Sequence, residues 1–90
     1  SDGTAGGVEA GSITFELCRD CVDRSLTVTE EEIASAMRTV ITSHHTMIEG
    51  AAGVAVAGFL QAPERYSGMD VAIVLCGANA SAEVLRRVLA

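Results

Sequence analysis

The sequence contains no lysine and no tryptophan, and it has a single proline, Pro63. Only three residues are aromatic: Phe15, Phe59 and Tyr66. A core built from this chain must therefore be packed from Ala, Val, Ile, Leu and Met around nine glycines. Basic residues are also scarce. Six arginines face twelve acidic residues for a net charge of -6, and no basic cluster exceeds Arg86-Arg87. Such a chain repels phosphate backbones and anionic surfaces, so nucleic acid is excluded as a natural partner. No apolar run is long. The longest, Ala51 to Leu60, falls well short of the about 20 residues that span a bilayer, so no membrane segment is expected. Cysteines are few and odd in number: Cys18, Cys21 and Cys76. With no signal-like start to the chain, they predict reduced thiols in a cytoplasmic setting and not a disulfide framework.

What is present is a globular composition, 49% hydrophobic, in a chain long enough for one domain at most. A domain of this size buries only about 60 to 65 per cent of its unfolded surface and is marginal alone. The organising stretch runs from Asp70 to Ala80. Val71, Ala72, Ile73, Val74 and Leu75 do not alternate with polar residues, which predicts a strand Val71–Cys76 covered on both faces, as in a parallel sheet. Beyond the carboxyl end of such a strand, a turn and a helix N-terminus offer backbone N-H groups to a ligand. Cys76, Gly77, Ala78 and Asn79 fall there.

Along the chain, Ser1 to Gly11 reads as a loop. Ser12 is placed to cap a helix with Ile13, Leu17, Cys18, Cys21 and Val22 on one face, ending near Asp23. The β-branched alternation of Ser25 to Thr29 predicts a short strand. Thr29 and Glu32 form a capping-box pattern ahead of a helix from Glu30 to about His45, whose Ile33, Ala36, Met37, Val40, Ile41 and His44 make one apolar stripe. Gly50 to Gln61 is small and apolar all round, as a buried helix requires, and Pro63 ends it. Glu64 to Met69 is a polar connection. Ser81 caps a last helix with Val84, Leu85, Val88 and Leu89 on one face and Arg86 and Arg87 near its negative end. The order helix-strand-helix-helix-strand-helix predicts an α/β chain, a fragment of a three-layer αβα parallel-sheet domain, because two strands alone leave too many edges unpaired.

Three groups of residues invite a chemical reading. Cys18-Arg19-Asp20-Cys21 has the CxxC spacing but lies in mid-helix and not at the turn that opens a helix after a strand, as a redox motif would need, so structural thiols are expected. His44 and His45 point about 100° apart on a helix, which makes a shared metal site poor; no metal is expected, and His44 reads as a buried histidine of the stripe. Glu49, set between Ile48 and the apolar stretch that follows, needs a partner if it is buried, and it reads either as a functional carboxylate or as a helix-start carboxylate stabilised by the dipole. Cys76 closes the central strand as either a ligand contact or a small hydrophobe.

At these residues the chain resembles a known family. Ile48-Glu-Gly-Ala-Ala-Gly-Val-Ala, followed by Val74-Leu-Cys-Gly-Ala-Asn79, is similar to the C-terminal signature of the threonine and serine dehydratases, pyridoxal phosphate enzymes of the tryptophan-synthase-like class. Ser1-Asp-Gly3 resembles the family's Ala-Asp-Gly segment, and Leu26-Thr-Val-Thr-Glu-Glu-Glu-Ile33 its strand and capped helix. The resemblance implies that residues 1–90 form the C-terminal portion of the large cofactor-binding domain and not a complete catalytic domain. It implies cofactor contacts at Gly3, Glu49, Cys76, Gly77 and Asn79, with Cys76 in the place of the Ser or Cys that hydrogen-bonds the pyridine nitrogen. Ala78 departs from the commoner second glycine of that turn. The implied reaction is elimination of water from L-threonine or L-serine to give a 2-oxo acid and ammonia. The implied partners are the amino-acid substrate, the N-terminal part of the enzyme and further copies in a homo-oligomer.

The missing lysine matters here. Pyridoxal phosphate enzymes hold the cofactor on a lysine that also serves as base, so on this reading no residue of these 90 is catalytic and the lysine lies on another segment. Two other readings stay open at this stage: a noncatalytic α/β module that pairs with a partner chain, and a small module whose Gly77 turn and helix N-terminus bind an anion.

Overall fold

Helix α2, Glu30–His44, is the spine of the fold. In this computed structural model, which describes residues 1–4 and 6–90, the Thr29 hydroxyl accepts the Glu32 N-H at 3.1 Å, and three glutamates fill the positive first turn. The reciprocal half of the capping box is not used. The Glu32 carboxylate instead accepts from Gln61 Nε2 at 2.8 Å, and the same amide nitrogen donates to Thr27 O at 2.7 Å. Removing the cap in Thr29→Ala is expected to lower stability by about 1 kcal/mol, read as a shift in the urea midpoint at unchanged m-value.

Ile33, Ala36, Met37 and Val40 are buried along one face of α2. Helix α3, Gly50–Leu60, lies against that face through Ala52, Gly53, Val56 and Ala57. The approach is close because Gly53 has no side chain: a Cβ there would stand 2.8 Å from Met37 Cγ and 3.1 Å from Ile33 Cγ2. Helix α4, Ala82–Leu89, also packs on α2. It buries Val88, and Arg38 Nε donates to Val88 O at 2.7 Å. Ile48, 2% exposed, completes the core just ahead of α3. The caps expected at Ser12 and Ser81 form, accepting from Phe15 N at 3.1 Å and Val84 N at 3.2 Å.

The expected layout of helices and strands is only partly realised. Among the described residues there are four α-helices, two short 3-10 helices (Asp2–Thr4 and Pro63–Tyr66) and no strands. Residues 25–29 and 71–76 carry no ladder hydrogen bonds, and Val71, Val74 and Leu75 are exposed. A strand exists only through a neighbour that takes its N-H and C=O groups. The two segments do not pair with each other, so both strands are corrected to unpaired chain.

Helix α1, Ile13–Cys21, forms as expected, but its apolar face is bare: it buries no residue, and Ile13, Leu17, Cys18, Cys21 and Val22 are exposed. His44 is exposed as well. The buried histidine is corrected, because α2 ends there and His45 turns the chain away in the left-handed region at φ 54°. The connection after Pro63 is a 3-10 helix, where Tyr66 stacks on Phe59 with ring centroids 5.5 Å apart. Ala5, within the expected loop from Ser1 to Gly11, lies outside the described residues.

Candidate functional site

The site is built where the N-termini of α3 and α4 come close. Glu49 is the N-cap of α3, with extended backbone at φ -86° and ψ 173°, and its side chain makes no capping bond to its own helix. The carboxylate reaches across instead and accepts the backbone N-H of Asn79 at 3.0 Å. The Glu49 N-H donates to Gly77 O at 3.2 Å. Two hydrogen bonds thus tie the start of α3 to the turn that leads into α4.

Gly77 is needed for this contact on two grounds. Its φ of 93° lies in a region that L side chains rarely adopt. A Cβ on it would stand 2.3 Å from Glu49 Oε1 and 2.6 Å from Cδ. The partner required by a carboxylate among apolar residues is therefore the backbone of the turn, and Glu49 is half-buried against it.

Alongside lies a cleft of about 560 Å³, lined by Ser1, Gly3, Glu49, Gly50 and Asn79, with Met37 and Val88 in its apolar wall. That volume is in the range of small-molecule sites, about 300–1,000 Å³. The first N-H groups of α3 have no acceptor inside the helix, and no side chain caps them. Next to them sits the Ser1 hydroxyl, buried and without a hydrogen-bond partner; it would be 3.2 Å from a Cβ on Gly50. Gly3 approaches Ala51, whose Cβ would be 3.4 Å from a Cβ added at Gly3.

Of the five residues singled out in the sequence, Gly3, Glu49 and Asn79 line this one cleft, and Gly77 packs directly behind Glu49. Cys76 is exposed beside Gly77 and is not among the lining residues. Ser1 and Arg87 were not foreseen at the cleft. Arg87 was within reach of the helical register, three positions after Val84 on the same face. For the Ser1 hydroxyl the sequence carries no signal. Among the described residues no three His, Cys, Asp or Glu side chains converge as a metal site would require, and none of the helices is long and apolar enough to cross a membrane.

The chain thus fastens a carboxylate at one helix start to a glycine turn at the next, beside a cleft of small-molecule size. Comparison with known proteins gives the class. The family model described as pyridoxal-phosphate dependent enzyme matches residues 1–77, and the chain belongs to that family. It is 37% identical over 79 residues to an L-threonine ammonia-lyase of Thermotoga maritima, covering 88% of this chain and 20% of that protein. It is 32% identical over 90 residues to a protein of Sinorhizobium fredii described as a threonine dehydratase, covering 99% of this chain and 27% of that one. A phenylserine dehydratase of Ralstonia pickettii is 35% identical over 77 residues, 82% of this chain and 23% of its own length. The chain thus spans about a quarter of the length of these curated relatives. No solved structure matches it.

Proposed function

We propose that the chain is the C-terminal portion of the large cofactor-binding domain of a pyridoxal phosphate-dependent L-threonine or L-serine dehydratase, an α/β domain completed by the polypeptide's other segments. The observation that carries this reading is the joining of Glu49, Gly77 and Asn79 by two hydrogen bonds at a cleft that Gly3 also lines. The names of the relatives agree with it, two being threonine lyases and one a dehydratase of a related β-hydroxy amino acid.

Bound pyridoxal phosphate supplies an electron sink that loosens the bond to the substrate's α-hydrogen. This chain's residues do the positioning. Gly3 and the start of α3 shape the cleft, Glu49 and Asn79 line it beside the turn, and Cys76, exposed beside Gly77, would offer its thiol to the ring nitrogen as a weak donor. A weak donor there would leave the ring a moderate sink, which would suit the prompt loss of a β-hydroxyl. The lysine that holds the cofactor and removes the proton belongs to another segment, since this chain has none. On the same reading the enzyme works in the cytoplasm as a homo-oligomer.

The test uses the complete polypeptide that carries this chain. With L-threonine or L-serine it should release a 2-oxo acid and ammonia and show the visible absorbance of bound cofactor. On this reading Cys76→Asp would bring a carboxylate to the ring nitrogen, and it is expected to shift that absorbance and cut turnover by about tenfold or more, a barrier change of about 1.4 kcal/mol or more. Unchanged turnover with unchanged absorbance would remove Cys76 from the site. A second reading, a noncatalytic module, is favoured by the absence of lysine alone. It predicts a folded polypeptide with neither absorbance nor turnover.

A further inference from the structure

A side-chain oxygen at a helix N-cap ordinarily accepts its own helix's second or third N-H. Glu49 does not cap its helix. Its Oε2 takes the Asn79 N-H at 3.0 Å, its own N-H goes to Gly77 O at 3.2 Å, and the rest of the carboxylate lies where a Cβ on Gly77 would fall. Residues 30 positions apart in sequence are thereby held in one register. The arrangement also has a consequence for the cleft. Because the carboxylate is drawn to the turn, the first N-H groups of α3 are left uncapped beside the unpartnered Ser1 hydroxyl.

We propose that Glu49 is a positioning residue: its carboxylate clasps the Gly77–Asn79 turn and so sets where Cys76 and Asn79 stand relative to the start of α3, instead of acting on the ligand by its charge. The proposal rests on the reading that this turn faces pyridoxal phosphate. It differs from simple ring contact in what it asks of the side chain. A clasp needs an acceptor oxygen at the reach of a glutamate. A charge interaction needs the negative charge, which glutamine lacks.

The discriminating experiment compares Glu49→Gln, Glu49→Asp and Glu49→Ala in the complete polypeptide. Two readouts are followed: hydrogen exchange of the Asn79 amide, and the dissociation constant for pyridoxal phosphate by absorbance titration. Glu49→Ala frees the Asn79 N-H, so its exchange should quicken by about tenfold or more, the worth of one hydrogen bond to a charged acceptor. Cofactor binding should weaken by a similar factor. Glu49→Asp is one methylene too short and should follow Ala. Glu49→Gln keeps an acceptor at the right length and should recover most of both losses, to within about threefold of the parent. The proposal is overturned if Gln binds the cofactor as poorly as Ala while the Asn79 amide stays protected, for then the charge and not the clasp matters. It is equally overturned if Ala leaves Asn79 exchange unchanged. A parent polypeptide that binds no pyridoxal phosphate would remove the functional reading and the cofactor half of the proposal with it, and the exchange measurement would still decide whether the clasp exists.

Discussion

Gly77→Ala is expected to cost the fold about 2–4 kcal/mol and to abolish the register of the turn. One part of the cost is conformational. At φ 93° an alanine is strained by about 1–2 kcal/mol. The other part is steric, since its Cβ would meet Glu49 Oε1 at 2.3 Å, a distance no real contact sustains. The carboxylate must withdraw, and the hydrogen bond to the Asn79 N-H goes with it, at about 1.5–3 kcal/mol for a charged acceptor, less what solvent returns at this half-buried position. Urea unfolding of the complete polypeptide reads the total. The double variant Gly77→Ala with Glu49→Ala separates the two parts, because without the carboxylate only the backbone strain remains. The pair should therefore cost less than the sum of the single changes by about 1 kcal/mol or more. Strict additivity would show that the two residues do not touch.

Met37→Ala, a change in the apolar wall of the cleft, should lower stability by about 2–5 kcal/mol. Met37 is 2% exposed and sits at the closest approach of α2 to α3, its Cγ directly over the hydrogen face of Gly53. Truncation leaves a void in the buried cluster that Met37 shares with Ile33, Ala36, Ala52, Val56 and Ala57, where close packing leaves little room for rearrangement. Native proteins hold a margin on the order of 5–15 kcal/mol, so such a loss takes a large share of it. Met37→Leu conserves the volume and should cost less than about 1.5 kcal/mol. Thermal or urea unfolding of both variants checks the contrast; equal losses would mean that the seam is not packed as described.

The helices were legible in the sequence for local reasons. Ser12, Thr29 and Ser81 each stand just ahead of a helical pattern, and each hydroxyl caps its helix. The stripe on α2 was legible from spacing, and Ile33, Ala36, Met37 and Val40 are buried as it requires. The stripe failed at His44, where the spacing continues and the packing partner does not. It failed on α1 for the same reason, since an apolar face predicts burial only when another element arrives to cover it. The runs at 25–29 and 71–76 have the composition of strands, but a strand is defined by pairing, and no neighbour among the described residues supplies it.

The site was legible in a different way. No periodicity links Glu49 to Gly77 across 27 intervening residues, and only the resemblance to a family placed them together. The geometry then adds what the resemblance did not contain: which atoms of Glu49 meet the turn, why residue 77 must lack a side chain, and the open donors at the start of α3 beside Ser1.

The central claim is that the turn at residues 76–79 faces the pyridine ring of pyridoxal phosphate. It is tested most directly by a crystal structure of the complete polypeptide loaded with the cofactor. The account predicts the ring in the cleft beside Gly3 and Asn79, with Cys76 Sγ within about 3.5 Å of the pyridine nitrogen and the Glu49 carboxylate still on the Asn79 N-H. A ring bound elsewhere, with the thiol turned to solvent and the cleft filled by another part of the polypeptide, would contradict it.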